Sequence, residues 1–331
     1  MTTQNAVDGQ MLARCVQEAA LAPSLHNSQP WRFRITSAAV EVFADRRRQI
    51  EVLDPAGREL LISVGAAVFT LRLAIRRHGW IPDLALFPEP DEPDLVARIR
   101  PGRAAQPSAA VTALAGAIAQ RHTNRWPFAD AVLPADVIEQ LTTAAGHEGA
   151  TLTITGAVSR AAILGLSRAA ERQLRADGGY RAELGQWTRH VPGRRDGLPP
   201  TAIGPWDALE RLPMRDFGLL QPQPPMPAQR FEPHPTIAVL ETDGDGPIEW
   251  VRAGQALQRV LLVATRLHLA TTPISQPVEI PAIRELLTDT RAGRWAQIVV
   301  RLGYGPPAVT SPRRLLAEIL EEGAPAQVLR P

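Results

Sequence analysis

Two apolar segments, one in each half of the chain, constrain the fold more than any other feature of the sequence. The first starts at Gly65 and reads GAAVFTLRLAIRR, and the second starts at Gly254 and reads GQALQRVLLVATR. Both are apolar on nearly every side, with charges mainly toward their ends. A helix of that kind is buried all round at the centre of a domain. The pair therefore predicts two central helices related by an internal repeat.

The similarity of the two segments alone does not establish a repeat, because any two core helices of an Ala-, Leu- and Val-rich protein would look alike. The elements that precede each segment supply further evidence. In the first half, a predicted helix (MLARCVQEAALA) is followed by a polar loop (APSLHNSQPW) and a strand (WRFRI). In the second half, a predicted helix (PADVIEQLTTAAG) and strand (ATLTIT) follow a polar arm (RHTNRW), and the loop has no counterpart. Each half has a piece that the other lacks, which predicts one composite site at an interface between the halves.

The composition is that of an ordinary globular protein, with 331 residues, 45% hydrophobic and 21% charged. This length allows two domains or one large one. The longest nearly uncharged apolar run, LLISVGAAVFTL, is too short to cross a bilayer, and no signal peptide is expected. The single cysteine, Cys15, excludes a disulfide framework and a multi-cysteine metal site, and we expect it in the core. These features predict a cytoplasmic protein with no membrane partner and no metal.

The basic residues are all arginine, and 34 acidic residues leave a formal net charge of +2. The clusters Arg46–Arg48 and Arg194–Arg195 could contact nucleic acid. A solvated surface is the favoured interpretation, because acidic residues are interspersed along the chain. We therefore expect no nucleic-acid partner.

The common cofactor and hydrolase signatures do not occur in the sequence. It contains no GxGxxG, no phosphate-binding Walker loop, no HExxH and no GxSxG. The glycines of TDGDGP are expected to make a turn after the strand TIAVLE. Any cofactor must therefore be bound by other means.

Four motifs resemble, in order, those of FMN-dependent nitroreductases. APSLHNSQPWRF resembles the loop after that family's first helix, which ends in N-x-Q-P-W, and RHTNRWPF resembles its opening Arg-x-Ser-x-Arg arm. WVRAGQALQRVLLVATRLHL with TTPISQ resembles the central helix and the turn beside the flavin, and RWAQIVVRLGYGPPAVTSPRRLLAEIL resembles the last strand and basic tail. The motifs cover most of residues 12–320. Their division between two fused halves is most similar to the Acg group of actinobacterial nitroreductase-like proteins.

The resemblance implies an α+β fold with α/β layers, in which two nitroreductase-like halves form a pseudo-dimer within one chain. Residues 1–106 would form the first half. Residues 107–331 would form the second, with a proline-rich lid inserted at about residues 185–233 and a basic C-terminal tail. Each half would place helices around a mostly antiparallel sheet, with the two central helices packed at the interface. A monomer is expected, and a homodimer is the alternative.

The resemblance also implies a single FMN site built from both halves, whose chemistry is carried by flavin N5 rather than by a catalytic side chain. The expected cofactor-binding residues of the first half are Pro23, Ser24, Leu25, Asn27 and Gln29. Those of the second half are Arg121, His122, Thr123, Arg125, Pro273, Ile274, Ser275, Gln276, Arg313 and Arg314.

Residue chemistry is consistent with these assignments. Arginine offers a planar fork for phosphate oxygens, so Arg121 with one or both of Arg313 and Arg314 would form an anion clamp. Alternate side chains of an extended arm share a face, which would align Arg121 with Thr123 and Arg125. Short polar side chains such as those of Ser24 and Asn27 can bond the ring edge or the ribityl hydroxyls.

For three further side chains of the loop, the sequence indicates a structural role or leaves the role open. Gln29 precedes a proline and is forced extended, so it could instead brace the loop. Trp31 is expected to anchor the loop in the core, and His26 could contact flavin or substrate.

Two departures from the family pattern bear on function. Relatives often carry an acid and a glycine where Ser275 and Gln276 stand, and the larger side chains put reduction by NAD(P)H in doubt. The long segment from about Gly185 to Pro233 contains ten prolines from Pro192 onward, and such segments are functional lids or linkers. Its apolar residues favour a lid that packs over the flavin face; they are Trp206, Leu209, Leu212, Met214, Phe217, Leu219 and Leu220.

Two functions are compatible with the sequence. The first is an oxidoreductase that transfers two electrons through FMN to a small aromatic or quinone-like acceptor. The alternative is a protein that holds or sequesters FMN under a closed lid, with little or no NAD(P)H-dependent turnover.

Overall fold

Two four-stranded antiparallel sheets, one from each half of the chain, frame the molecule in this computed structural model, which describes residues 8–217 and 227–321. The first half contains α1 (Gly9–Ala19), β1 (Trp31–Ile35), β2 (Val40–Ala44), α2 (Arg58–Arg77), β3 (Trp80–Leu86) and β4 (Leu95–Ala104). The second half contains α3 (Ala109–Gly116), α4 (Ala135–Gly146), β5 (Thr151–Ile154), α5 (Ala157–Ala176), α6 (Gly178–Thr188), β6 (Trp206–Asp207), β7 (Ala228–Gln229), β8 (Thr236–Thr242), α7 (Pro247–Arg266), β9 (Ala270–Ile274), α8 (Gln276–Glu279), α9 (Pro281–Glu285), β10 (Trp295–Gly303) and α10 (Leu316–Ile319).

The two sheets have the same strand order. It is β1-β2-β4-β3 in the first and β5-β8-β10-β9 in the second, and every pair is antiparallel. In each half a long helix connects the second strand to the third: α2 follows β2, and α7 follows β8. The internal repeat and the α+β fold of two similar halves are therefore confirmed.

The two central helices cross at the glycines with which the repeated segments begin. A Cβ on Gly65 would lie 2.2 Å from Val251 O, and one on Gly254 would lie 2.0 Å from Ile62 O. Such distances are far below van der Waals contact, so only glycine lets the two backbones approach this closely. Further along, Gln258 Nε2 donates to Thr70 Oγ1 at 3.0 Å. The repeated glycine is thus explained by the packing of α2 against α7.

The halves also exchange segments. The C-terminal tail leaves the second sheet and packs against the first, where Leu320 forms a parallel bridge with Phe33 and Glu321 N donates to Phe33 O at 2.8 Å. The arm before α4 is held to the second sheet, since Asn124 N donates to Thr271 O at 2.9 Å. These connections bring the loop, arm and tail motifs together in space.

Several element boundaries differ from the sequence-based expectation. The first helix begins at Gly9, where Asp8 Oδ1 accepts from Met11 N at 2.6 Å, and it ends at Ala19. The predicted strand WRFRI matches β1, and a turn then closes between Thr36 and Ala39, whose N–H donates to Thr36 Oγ1 at 3.0 Å. Cys15 and Trp31 are fully buried in the core, as expected.

The connection between the first two strands of each sheet distinguishes the halves. It spans residues 36–39 in the first half and 155–235 in the second, where it includes α5 and α6. The predicted start of the irregular segment, Gly185, is wrong, because residues 185–188 belong to α6. Of its apolar residues, Leu212 and Phe217 are buried, whereas Trp206 and Leu209 are exposed. Leu219 and Leu220 lie outside the described residues.

The arginine clusters considered for nucleic acid are largely paired with carboxylates. The pairs are Arg46 with Asp94, Arg47 with Asp45, and Arg48 and Arg194 with Asp196. This pairing favours the interpretation as a solvated surface. Within residues 8–217 and 227–321, no helix is long and apolar enough to span a membrane.

Candidate functional site

A cavity of about 910 Å³, measured out to the solvent at its mouth, lies in the seam between the two halves. The first half contributes the loop at residues 23–26 and the start of α2 between residues 59 and 66. The second contributes the arm, part of the lid between residues 212 and 217, and the turn at 272–276. We call this space the seam cavity.

Nine of the fifteen expected cofactor-binding residues line the seam cavity. They are Pro23, Ser24, Leu25, Thr123, Arg125, Pro273, Ile274, Ser275 and Gln276. The other six, Asn27, Gln29, Arg121, His122, Arg313 and Arg314, are not on its wall. Loop, arm and turn therefore meet at one site, and all three arginines of the expected anion clamp lie off its wall.

The polar loop is held in an unusual conformation. His26, Asn27 and Gln29 all have positive φ, between 49° and 55°. Residues other than glycine adopt this region at a cost, and such strain is concentrated at functional sites. Ser24 Oγ accepts from Gln29 N at 2.9 Å, and Leu25 N donates to Ser63 Oγ on α2 at 3.3 Å. The loop is thus fixed against the first central helix.

Gln29 stabilises the loop rather than lining the cavity. Its side chain is fully buried, and Nε2 donates to Arg195 O at 2.9 Å while Oε1 accepts from Arg314 N at 2.8 Å. The extended backbone expected for Gln29 is wrong, because its φ is 50°. Of the two roles considered for Gln29, the structure favours the brace.

Arg121, which is buried, and Arg313, which is half-buried, form a pair of like charges. Both donate through Nη2 to Leu21 O at 3.3 Å, and the Nε atom of each is buried without a hydrogen-bond partner in the described chain. Neither contacts a carboxylate among those residues. Burial lowers the pKa of Arg121 to about 9, with Arg313 adding to the effect, and lowers that of Arg313 to about 10. Two neighbouring guanidinium groups with no acid among the described residues have hydrogen-bonding capacity and charge that an anion would satisfy.

Asn27 and His122 support this pair. Asn27 Oδ1 accepts from Arg313 Nη1 at 3.0 Å, and Asn27 Nδ2 donates to Pro312 O at 3.1 Å, so Asn27 positions Arg313. Burial and the two arginines lower the pKa of His122 to about 4, so it is neutral at pH 7. The positive potential that suppresses protonation of His122 is the one that would attract an anion.

Arg125 is a third cation that has no carboxylate among the described residues. It lines the seam cavity, donates through Nη1 to Ala202 O at 2.9 Å, and lies 5.1 Å from the centroid of the Phe217 ring. Burial, with Arg215 nearby, lowers the pKa of Arg125 to about 10. Arg125 and Thr123 therefore face the cavity, while Arg121 of the same arm turns toward the tail.

Comparison with known proteins gives close relatives over almost the whole chain. No family model matches the sequence. A Mycobacterium tuberculosis protein named "Putative NAD(P)H nitroreductase Rv3131" is 31% identical over 332 residues, which are 98% of this chain and 94% of that protein. This chain belongs to the nitroreductase family. Another relative from the same organism, "Putative NAD(P)H nitroreductase acg", is 30% identical over 93% of this chain and 95% of its own length. The resemblance predicted from the motifs, including the Acg group, is confirmed.

Solved nitroreductases show weaker likeness to this member of the family. The FMN-dependent nitroreductase NfnB from Mycobacterium smegmatis, in complex with NADPH, has 17% identity and a TM-score of 0.38 over 63% of this chain and 97% of that one. A nitroreductase with bound FMN from Desulfitobacterium hafniense has 17% identity and a TM-score of 0.36 over 61% and 93%. TM-scores below 0.5 establish no shared fold, so the family assignment depends on the two mycobacterial relatives.

Arg314 is separated from the Arg121–Arg313 pair of this nitroreductase-family chain. Its Nη1 donates to Gln29 O at 3.2 Å and to Trp31 O at 3.4 Å, on the outer side of the loop. The sequence left open whether one or both tail arginines join Arg121. The structure favours Arg313 alone.

The lid is joined to the predicted flavin turn by Arg215. Arg215 Nη2 contacts both carboxylate oxygens of Glu279 at 2.5 and 2.6 Å and Ser275 Oγ at 3.2 Å, and Nη1 donates to Tyr180 Oη at 2.8 Å. Neighbouring negative charge raises the pKa of Arg215 despite burial. The side chains of Arg215 and Glu279 are almost inaccessible to solvent, and this ion pair joins the proline-rich segment to α8, which follows the turn.

Sequence reasoning missed three charged residues on the cavity wall, Glu59, Arg215 and Arg301. Glu59 lies in the first turn of an apolar helix, and a charged residue at such a position is expected to face the solvent. Arg215 lies in a segment identified only by its apolar residues, and Arg301 lies within a strand. His26, considered as a contact, does line the cavity, with Nε2 buried and unpartnered in the described chain. Burial lowers its pKa well below 6.5, so this histidine is neutral.

Proposed function

We propose that this protein is an oxidoreductase that passes two electrons through one FMN bound at the seam cavity. The observation that carries the proposal is the Arg121–Arg313 pair, which has no acid among the described residues and whose two Nε atoms are buried without a hydrogen-bond partner there. Each partner is close in sequence to the cavity wall: Arg121 precedes Thr123 by two residues, and Asn27, which holds Arg313, follows His26.

A dianionic phosphate fits the chemistry of this pair. Arg121 and Arg313 could each turn an N–H toward phosphate oxygens, and the unpartnered Nε atoms are the donors that such a ligand would satisfy. His122, being neutral, adds no further charge. Among the described residues no carboxylate competes for either guanidinium, so the phosphate would supply the missing counter-charge.

The cavity wall offers the groups that a flavin ring and ribityl chain require. Ser24 and Thr123 carry hydroxyl groups for the ribityl chain, and Arg125 offers N–H donors for a ring carbonyl. The turn from Pro273 to Gln276 would run along the ring. FMN, when bound, supplies the atom that accepts and gives hydride, while these side chains bind and orient it.

One chain would then do the work of two subunits. The matching strand orders and the glycine contact between α2 and α7 support a pseudo-dimer divided near residues 106 and 107. Loop and α2 from one half, and arm, turn and tail from the other, would form a single site in a cytoplasmic monomer. The relatives' names include NAD(P)H, which we propose as the electron donor, with a small aromatic or quinone-like acceptor.

FMN sequestration is a second candidate that a specific observation favours. Arg215 holds the lid against the turn through a buried ion pair, and Leu212, Met214 and Phe217 face the cavity. A lid closed over the flavin in this way would keep nicotinamide from the ring.

Anaerobic mixing of the FMN-loaded protein with NADH or NADPH distinguishes the two functions. We expect bleaching of the flavin absorbance band by one or both nucleotides, at a rate that supports turnover. Bleaching by dithionite alone would favour sequestration. Failure of the purified protein to take up FMN would contradict both functions.

A further inference from the structure

Glu59 brings a carboxyl group to the wall of the seam cavity from the first turn of α2. The residue is 4% exposed. One carboxyl oxygen, Oε1, accepts from Nη2 of Arg58. The other oxygen, Oε2, accepts no hydrogen bond from the described residues. It is not fully buried, so it remains accessible from the cavity. Glu59 is thus held on one side and open on the other.

The cluster that Glu59 forms with its charged neighbours has more carboxyl groups than guanidinium groups, which favours the protonated form of its side chain. Arg58 on the same helix and Arg215 from the lid face it, as do two carboxyl groups, Asp54 from the preceding turn and Glu279 from α8. Two guanidinium groups therefore meet three carboxyl groups. Glu279 is held by Arg215 through both oxygens, and Arg58 also donates to Gln297 O at 2.6 Å and Val278 O at 3.0 Å. Arg58, the one guanidinium of the described residues that pairs directly with Glu59, is therefore shared with backbone carbonyl groups.

Burial raises the pKa of Glu59 to about 7, with Glu279 and Asp54 adding to the increase and Arg58 opposing it. The group is thus protonated in part of the molecules at neutral pH and can both give and take a proton there. General acids work best with a pKa near the working pH.

We propose that Glu59 is a catalytic residue that donates a proton to the oxygen of the acceptor reduced in the seam cavity. The inference rests on the proposed function, which supplies the reduced flavin as the hydride source. A quinone or nitro group that receives a hydride needs one proton at oxygen to become neutral. The O–H bond of Glu59 breaks as the acceptor O–H bond forms, and water then returns a proton to the carboxylate.

This assignment narrows the substrate class. The acceptor must have an oxygen that gains basicity as hydride arrives, which describes quinones and nitroaromatics. Acceptors that take electrons one at a time without a proton, such as ferricyanide, would gain nothing from Glu59.

The test compares wild type with Glu59→Gln, which keeps the shape and removes the acid, and with Glu171→Gln as the matched control. Glu171 is also a buried carboxyl with a raised pKa near Arg215, but it is not on the cavity wall. The first readout needs no cofactor: infrared or carbon-13 NMR titration of FMN-free protein. We expect a carboxyl that titrates at about pH 7 in wild type and in Glu171→Gln, and its loss in Glu59→Gln.

The second readout is the rate at which dithionite-reduced, FMN-loaded protein is reoxidised anaerobically by a quinone. Glu59→Gln should lower this rate by roughly 100-fold and abolish its decline above pH 7, while reoxidation by ferricyanide is unchanged. Absence of FMN binding in wild type would overturn the proposed function and this inference together. FMN binding without the titrating carboxyl, or with an equal quinone rate in Glu59→Gln, would overturn this inference alone.

Discussion

Replacing Arg121 by methionine should stabilise the FMN-free protein and weaken FMN binding, two effects of opposite sign from one substitution. The first follows because Arg121 is a buried charge with no acid among the described residues. A fall in pKa from 12.5 to about 9 corresponds to about 5 kcal/mol against the charged form. Methionine fills much of the same volume without the charge.

Part of this gain is offset by lost interactions. The hydrogen bond to Leu21 O disappears, although Arg313 still donates to the same oxygen at 3.3 Å. The lost bond and imperfect packing together cost about 2–3 kcal/mol. The free energy of unfolding of the FMN-free variant should therefore rise by about 2 kcal/mol, which urea denaturation followed by circular dichroism can measure.

The effect on FMN is a loss. Removing one charge-assisted contact to the phosphate costs about 1.5–3 kcal/mol, which raises the Kd by roughly 10- to 150-fold in a titration of flavin fluorescence.

Arg301→Met is the control for the sign of the effect on stability, because Arg301 is equally buried but pairs with Glu232 through two contacts of 2.6 Å. Breaking that pair should destabilise the protein by about 3–5 kcal/mol. An Arg121→Met variant that is less stable than wild type without FMN, and binds FMN equally well, would refute the reasoning.

Three further predictions concern the packing, the buried acid and the lid. Gly65→Ala should destabilise the protein by roughly 3 kcal/mol in urea, because its Cβ would lie 2.2 Å from Val251 O. The control is Gly165→Ala on α5, where a Cβ meets nothing within 4 Å, and it should stabilise the protein by up to about 1 kcal/mol. Equal effects of the two substitutions would contradict the packing argument. The pKa of Glu59 is raised from 4.5 to about 7, so the folded state binds the proton more tightly than the unfolded state does. The free energy of unfolding of wild type should therefore fall by about 3 kcal/mol as the pH rises from 4.5 to about 7. Glu59→Gln should lack this loss, and parallel pH–stability curves for the two proteins would disprove it. Arg215→Gln removes the contact that joins the lid to Glu279, so proteolysis in the lid and FMN dissociation should both accelerate. Rates that match wild type would show that the ion pair does not hold the lid.

The frame of the fold could be predicted from the sequence because its signals are local. The repeated glycine segments predicted the two central helices, and helix and strand patterns predicted the elements before them. The start of the irregular segment could not be placed, because Gly185–Thr188 belongs to a helix whose packing the proline count does not reveal.

The candidate site could be predicted where motif residues face the cavity themselves. Thr123, Arg125 and the turn from Pro273 are of this kind. Arg313 and Arg314 are adjacent in sequence, and only the tertiary contact between Asn27 and Arg313 separates their roles. Glu59 was missed because its burial depends on α8 and the lid, which lie far from it in sequence.

The stoichiometry of FMN binding tests the central claim most directly. Flavin-free protein would be titrated with FMN and its fluorescence quenching followed, in wild type and in a variant that combines Arg121→Met with Arg313→Met. We predict one FMN per chain in wild type and none in the double variant at the same concentrations. Two FMN per chain, no binding to wild type, or full binding to the double variant would contradict a single flavin held at the seam by Arg121 and Arg313.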